Sequence, residues 1–163
     1  MKRFLPLMLA FALCLLCACG GSATPTPAAS TDTPPALPSL DALRTQLLTL
    51  AGENYDVREA VSDISPLQGE LTIPEGTQAV WCEYAGPVAD ELLLCIAPDE
   101  AGAATLLAIV NARLEERKVA FAGYAPHEVA KLNRAFVLQK GNFVCLIIAD
   151  NVNNMKAYVQ ASV

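Results

Sequence analysis

The sequence predicts an α+β domain: an antiparallel sheet of about four strands, built from two hairpins and packed with three helices, after a signal peptide and a disordered linker. Three observations carry this prediction. Leucines recur at helical spacing from Leu40 to Leu50, and apolar residues do so again from Ala103 to Leu114. Two pairs of short runs rich in strand formers, 78–84 with 91–97 and 135–139 with 142–149, are each separated by turn-forming residues. The resulting order is helix, two strands, helix, two strands, helix, which favours an antiparallel sheet with helices laid against it.

The chain begins with a positive pair, Lys2 and Arg3, followed by an unbroken apolar and small stretch from Phe4 to Ala18. This is the pattern of an export signal, and the run is shorter than the about 20 residues needed to span a bilayer. Its end, Leu16-Cys17-Ala18-Cys19, resembles the lipobox of bacterial lipoproteins, with a leucine three positions before Cys19 and a small residue directly before it. That resemblance implies diacylglyceryl on Cys19, cleavage of residues 1–18, and a mature chain held at the extracytoplasmic face of the cell membrane. Cys14 and Cys17 each follow a leucine and lack the small residue. The alternative is an ordinary secretory signal cut near Ala18-Cys19-Gly20, which would release a soluble protein.

Residues 19–38 read as a lipid-anchored linker, and 39–163 as one globular domain. The segment GGSATPTPAASTDTPPALP holds five of the eleven prolines and has almost no large apolar residue before Leu37, so burial cannot offset its ordering entropy. Extended by proline, it reaches roughly 50 Å. Without Lys2 and Arg3 the 11 basic residues become 9 against 17 acidic ones, a formal charge of −8. Such a balance excludes nucleic acid and a basic patch on anionic lipid. Two acyl chains suffice for a stable anchor, at about 0.8 kcal/mol per buried methylene.

Within the domain, Ser39 is placed to cap a helix carrying Leu40, Leu43, Leu47 and Leu50 on one face, with Gly52 beyond its end. Residues 53–75 are broken by Pro66, Gly69 and Pro74 and read mainly as loop with one short element. Gln78–Tyr84 and Glu91–Ala97 form the first strand pair. Pro98-Asp99-Glu100 opens the second helix, whose face is Ala103, Leu106, Leu107, Val110 and Leu114, with Arg113, Arg117 and Lys118 toward its negative end. Phe121 to Pro126 reads as a connector, and Pro126-His127-Glu128 as the start of a further turn reaching about Leu132. Ala135–Gln139 and Asn142–Ala149 form the second hairpin, turning at Lys140-Gly141. The run FVCLIIA lacks polar alternation, which predicts a central strand covered on both faces. A last helix spans about Asn151–Gln160.

The stretch Ala89-Asp90-Glu91-Leu92-Leu93-Leu94, the helix end Arg113-Leu114-Glu115-Glu116-Arg117, the spacing Phe121-x-x-Tyr124-x-Pro126-x-Glu128 and the apolar strand pair after it are similar to lipoproteins of Gram-positive bacteria grouped as domain of unknown function 4358. The resemblance covers most of residues 40–155. It implies localisation and fold extent, and no catalytic residue, because the family has no assigned activity.

No catalytic or metal constellation is recognisable, and no cofactor is implied. The lone histidine, His127, follows a proline and has no nucleophile-elbow serine to serve. Cys82, Cys95 and Cys145 lie inside apolar strands without a C-x-x-C pair, which favours packing as small hydrophobes over metal or redox chemistry. The reading is therefore a binding or accessory module with an unknown protein or cell-envelope partner. The alternative is a small cell-envelope hydrolase using carboxylates near Glu91 and Glu128. A first hairpin turning between Val88 and Ala89 would set Cys82 opposite Cys95, a possible disulfide in an oxidising compartment. In that register Val80, Cys82, Tyr84, Leu93 and Cys95 share one face, and Trp81, Glu83, Leu92, Leu94 and Ile96 the other. With both faces apolar and helices available to cover them, the candidate partner surface falls on the rim, at Glu91, Tyr124 and Glu128.

Overall fold

A computed structural model of the chain describes residues 37–52, 73–83 and 87–163. The expected signal peptide, Cys19, the linker up to residue 36, most of the stretch read as loop, and Tyr84 lie outside the described residues.

Helix α1 (Leu40–Ala51) starts where Ser39 Oγ accepts the Ala42 N–H at 3.2 Å, satisfying an otherwise orphaned donor. It stops at Gly52, whose φ of 96° is open to glycine and strained for other residues. Helix α2 (Glu100–Tyr124) is capped by Asp99, whose carboxylate accepts the Gly102 N–H at 2.7 Å, so Pro98 stands just outside the helix and not in its first turn. It runs to Tyr124, through the residues expected to form a connector, because neither glycine nor proline stops it between Val119 and Ala122 and Phe121 gains a buried position one turn further on. A short 3-10 turn, Pro126–Glu128, leads into α3 (Val129–Leu132), and α4 (Val152–Ser162) closes the chain. None of the described helices is long and apolar enough to cross a membrane.

The strands β1 (Gln78–Glu83), β2 (Glu91–Ile96), β3 (Phe136–Lys140) and β4 (Phe143–Ile148) form one antiparallel sheet in the order β1-β2-β4-β3. The second hairpin turns at Gly141-Asn142, with Lys140 paired to Phe143 and Gly141 at a φ of 55°, as a tight two-residue turn requires. β2 and β4 are central, which is why ELLLCI and FVCLII show no polar alternation. The α+β class and the four-strand antiparallel sheet agree with the sequence.

Both faces of the sheet are covered. On one, α2 and α3 pack Leu106, Val110, Phe121 and Leu132 over Trp81, Leu93, Cys95 and Leu146. On the other, α1 and α4 pack Leu43, Leu47, Met155 and Val159 over Cys82, Leu94, Phe143 and Ile147. The helices are thus split between the faces, and three layers stack around a sheet buried on both sides.

The first hairpin differs from the expected register. Glu83 pairs with Glu91, Cys82 with Leu92 and Ala79 with Cys95, so the turn is centred on Pro87 and the offset changes by three residues. Because side chains alternate along a strand, an odd slip moves all of β2 to the opposite face relative to β1. Trp81, Leu93 and Cys95 therefore share one face, and Val80, Cys82, Leu92 and Leu94 the other. The expected bridge is corrected accordingly: Cys82 and Cys95 lie on opposite sides of the sheet, and both thiols are free, as is that of Cys145.

Burial pushes the Cys95 and Cys145 thiols up to about 12, and that of Cys82 up as well. The folded domain is expected to resist thiol alkylation at pH 8, and denaturation should expose all three groups with or without reductant, as read by mass spectrometry. Leu94→Ala, at a position without solvent exposure between β1 and β4, should lower the unfolding free energy by about 2–5 kcal/mol in a denaturant titration.

Candidate functional site

Two ion-pair clusters meet at the start of β2. The first follows from the register: Glu83 and Glu91 sit directly opposite each other on the α2 side of the sheet, where two like charges repel. Arg113 and Arg117, one helical turn apart on α2, are aimed at this pair. Arg113 Nε donates to Glu91 Oε1 at 2.7 Å, and its other end lies 3.5 Å from Glu83 Oε1. Arg117 Nε lies 3.0 Å from Glu91 Oε2, and Arg117 also donates from Nη1 to Glu83. Trp81 Nε1 gives Glu91 a further hydrogen bond at 2.9 Å. Arg113 stacks on the Trp81 ring and Arg117 on Phe121, each 5.2 Å from the ring centre, so the guanidinium faces are packed as well as their edges.

The second cluster lies around Lys131 on α3. Its ammonium is 2.5 Å from Asp90 Oδ2, 3.0 Å from Glu128 Oε2 and 3.7 Å from Asp150 Oδ2. Glu128 Oε2 also accepts the Ala89 N–H at 2.7 Å, while Arg117 Nη2 donates to the Ala89 carbonyl at 3.2 Å. Ala89, two residues before β2, is thereby held by both clusters, through its N–H on one side and its carbonyl on the other.

Burial and pairing pull in opposite directions here. Desolvation raises the pKa of Asp90 and outweighs the attraction of Lys131, with Asp150 and Glu128 adding to the rise. Desolvation would raise Glu128 too, but its hydrogen bonds from Ala89 and Lys131, with the charges of Lys131 and His127, bring it below the ordinary value. Burial of Lys131 opposes its charge, and the hydrogen bonds and charges of its acidic neighbours outweigh that, so its pKa is raised. The ammonium is the stable form.

The structure thus separates the residues expected to form a partner surface. Glu91 is 0 % exposed and Glu128 is also buried, each held by cations, whereas Tyr124 is 59 % exposed. The rim reading is corrected for the two carboxylates, because their charges would be costly to bury without those partners. Tyr124 packs against Phe121 with ring centres 4.7 Å apart. Five residues earlier on α2, Val119 is 78 % exposed, and a shallow hollow is lined by Val119, Ala120, Glu115 and Glu116. Lys131 carries no role in the sequence reading, and Arg113 and Arg117, expected only to complement the negative end of the helix, are the cations that hold Glu91. The usable signal was the i,i+4 arginine pair on the face that also carries Val110 and Leu114, since a solvated pair would fall on the opposite face. Among the described residues no group of three His, Cys, Asp or Glu side chains is placed to hold a metal ion.

A family described as Domain of unknown function (DUF4358) matches residues 85–149, less than half of the 163-residue chain and narrower than the expected 40–155. The matched stretch contains β2, α2, α3, β3 and β4, and with them every member of the two clusters except Trp81, Glu83 and Asp150. No curated protein and no solved structure matches the chain.

Replacing Arg113 with Met leaves Glu91 to Arg117 and Trp81 alone and should cost about 1.5–3 kcal/mol in unfolding free energy, measured by denaturant titration with Trp81 fluorescence. The pH response has two opposed parts. Glu128, held below its ordinary 4.5, contributes stability that is present above that value and lost as pH falls through the lower folded pKa. Asp90, held above its ordinary 3.8, destabilises when ionised, and that cost is relieved as pH falls through its higher folded pKa. In freshly purified protein, with the Asp90 and Lys131 side chains free, Glu128→Gln should therefore flatten the acid-side loss of stability and Asp90→Asn should steepen it, as read from thermal midpoints between pH 3 and pH 6.

Proposed function

We propose that the chain is a lipid-anchored extracytoplasmic lipoprotein whose domain acts as a binding or accessory module at the cell surface. The observation that carries the anchor is Leu16-Cys17-Ala18-Cys19 at the end of a charged-then-apolar leader, followed by a proline-rich tether. Diacylglyceryl on Cys19 would hold the protein to the membrane, and the tether would hold the domain away from it. The binding-module half of the reading is supported by what the acidic side chains do. Glu91 and Glu128, the carboxylates on which hydrolytic chemistry would have rested, spend their charge on Arg113, Arg117 and Lys131. The exposed apolar groups that a partner would use are Tyr124 and Val119 near the end of α2.

Cys19→Ala is expected to move the protein out of the membrane fraction or leave its leader uncleaved, and normal processing with unchanged fractionation would count against the anchor. Val119→Asp combined with Tyr124→Ala should reduce capture of a crosslinked partner in living cells by about tenfold, the scale of losing 1.4 kcal/mol of contact. Neither side chain is buried, so the variant should keep its fold, with Trp81 fluorescence as the check. Unchanged capture by the folded variant would remove this surface.

A further inference from the structure

The Lys131 cluster brings an amine and a carboxyl group together in a way that ordinary surface ion pairs do not. The side chains of Lys131, Asp90 and Glu128 are 8 %, 13 % and 9 % exposed, so all three are withdrawn from water together. They come from two elements 41 residues apart, with Asp90 just before β2 and Lys131 on α3. Glu128 is oriented independently of Lys131, because the Ala89 N–H fixes its Oε2 at 2.7 Å, and that oxygen lies 3.0 Å from Nζ. On its other side Oε1 faces the exposed His127, with Nε2 at 3.7 Å, which connects the carboxylate to solvent.

We propose that Lys131 and Asp90 become joined through an amide bond formed in the folded domain, with Glu128 as the proton carrier. The bond forms between Nζ of Lys131 and Cγ of Asp90, and one C–O bond of Asp90 breaks. Two of the three ammonium protons leave with that oxygen as water, and the third stays on the amide nitrogen. Glu128 carries the two protons in turn from Nζ to the departing oxygen. The positive and negative charges disappear together, so no oxidant, reductant or other reactant is needed.

Burial supplies the driving force. Two charges held in a low-dielectric site are replaced by one neutral amide, and the water produced is released to solvent. The neighbouring carboxylates keep Lys131 in its ammonium form, so passage of the first proton to Glu128 sets the rate and the bond appears slowly after folding. The linkage would tie β2 to α3 in a domain whose three described cysteines are all unpaired and buried in the strands.

The test uses the full-length protein, digested and analysed by mass spectrometry immediately after purification and again after prolonged incubation. A peptide containing Asp90 joined to one containing Lys131, lighter than their sum by one water and increasing with time, is the expected result. Lys131→Arg keeps the positive charge and should show no linkage, while Glu128→Gln should slow its appearance by about 100-fold. Separate peptides with free Lys131 and Asp90 after incubation of folded wild-type protein, its fold reported by Trp81 fluorescence, would overturn the proposal. Linkage at the wild-type rate in Glu128→Gln would overturn the role given to Glu128.

Discussion

Two glutamates facing each other across adjacent strands organise much of this domain. Glu83 and Glu91 are Cα partners on the same face, and Glu91 is wholly buried. A like-charged pair in that position is unfavourable, and desolvation makes it more so. The arrangement persists because α2 delivers two guanidinium groups one turn apart, each able to reach both carboxylates. In the register offset by three residues, Glu91 would leave the α2 side of the sheet while Glu83 stayed on it, and one carboxylate would be stranded from the arginines. The ion pairs and the apolar alternation therefore favour the same register, and local pairing agrees with tertiary packing.

The same interaction explains the length of α2. Its apolar face packs against the sheet through Leu106, Val110, Leu114 and Phe121, and between them Arg113 and Arg117 add ion pairs to Glu83 and Glu91. Phe121 then packs beneath Arg117, and the Phe121 amide oxygen accepts the Ala125 N–H at 2.8 Å as the helix ends. A segment rich in alanine and glycine, AFAGY, remains helical because its anchor is the phenylalanine and the charged residue above it. Ala120 and Ala122 favour helix locally, and the buried Phe121 carries it past Gly123.

This difference between local and non-local causes marks what was legible in the chain. Helix α1 could be read in full, because Ser39, the leucine spacing and Gly52 act within a few residues of one another. The central position of β4 was legible because burial on both faces imposes an unbroken apolar run. The register of the first hairpin was not, since its seven-residue connection has no tight-turn composition and the choice depends on arginines 22 or more residues away. The candidate site failed for the same reason. Glu91 and Glu128 look like available acids in one dimension, and only the fold brings Arg113, Arg117 and Lys131 against them. Tyr124, expected on a connector beside Pro126, is instead the last residue of α2, and there it is exposed.

The two clusters are joined at Ala89, whose N–H is taken by Glu128 and whose carbonyl receives Arg117. That shared residue links the register-setting arginines of α2 to the Lys131 cluster through hydrogen bonds of 2.7 and 3.2 Å. Movement of the residues before β2 would disturb both sets of ion pairs at once, and a buried charge that loses its partner carries a cost several times that of a surface pair. The start of β2 is consequently tied to α2 and to the Pro126–Glu128 turn at once. A contact made at Tyr124 and Val119, on the outer side of the helix that these ion pairs hold in place, would meet a surface ordered before binding, and the entropy of ordering it would not have to be found from the contact itself.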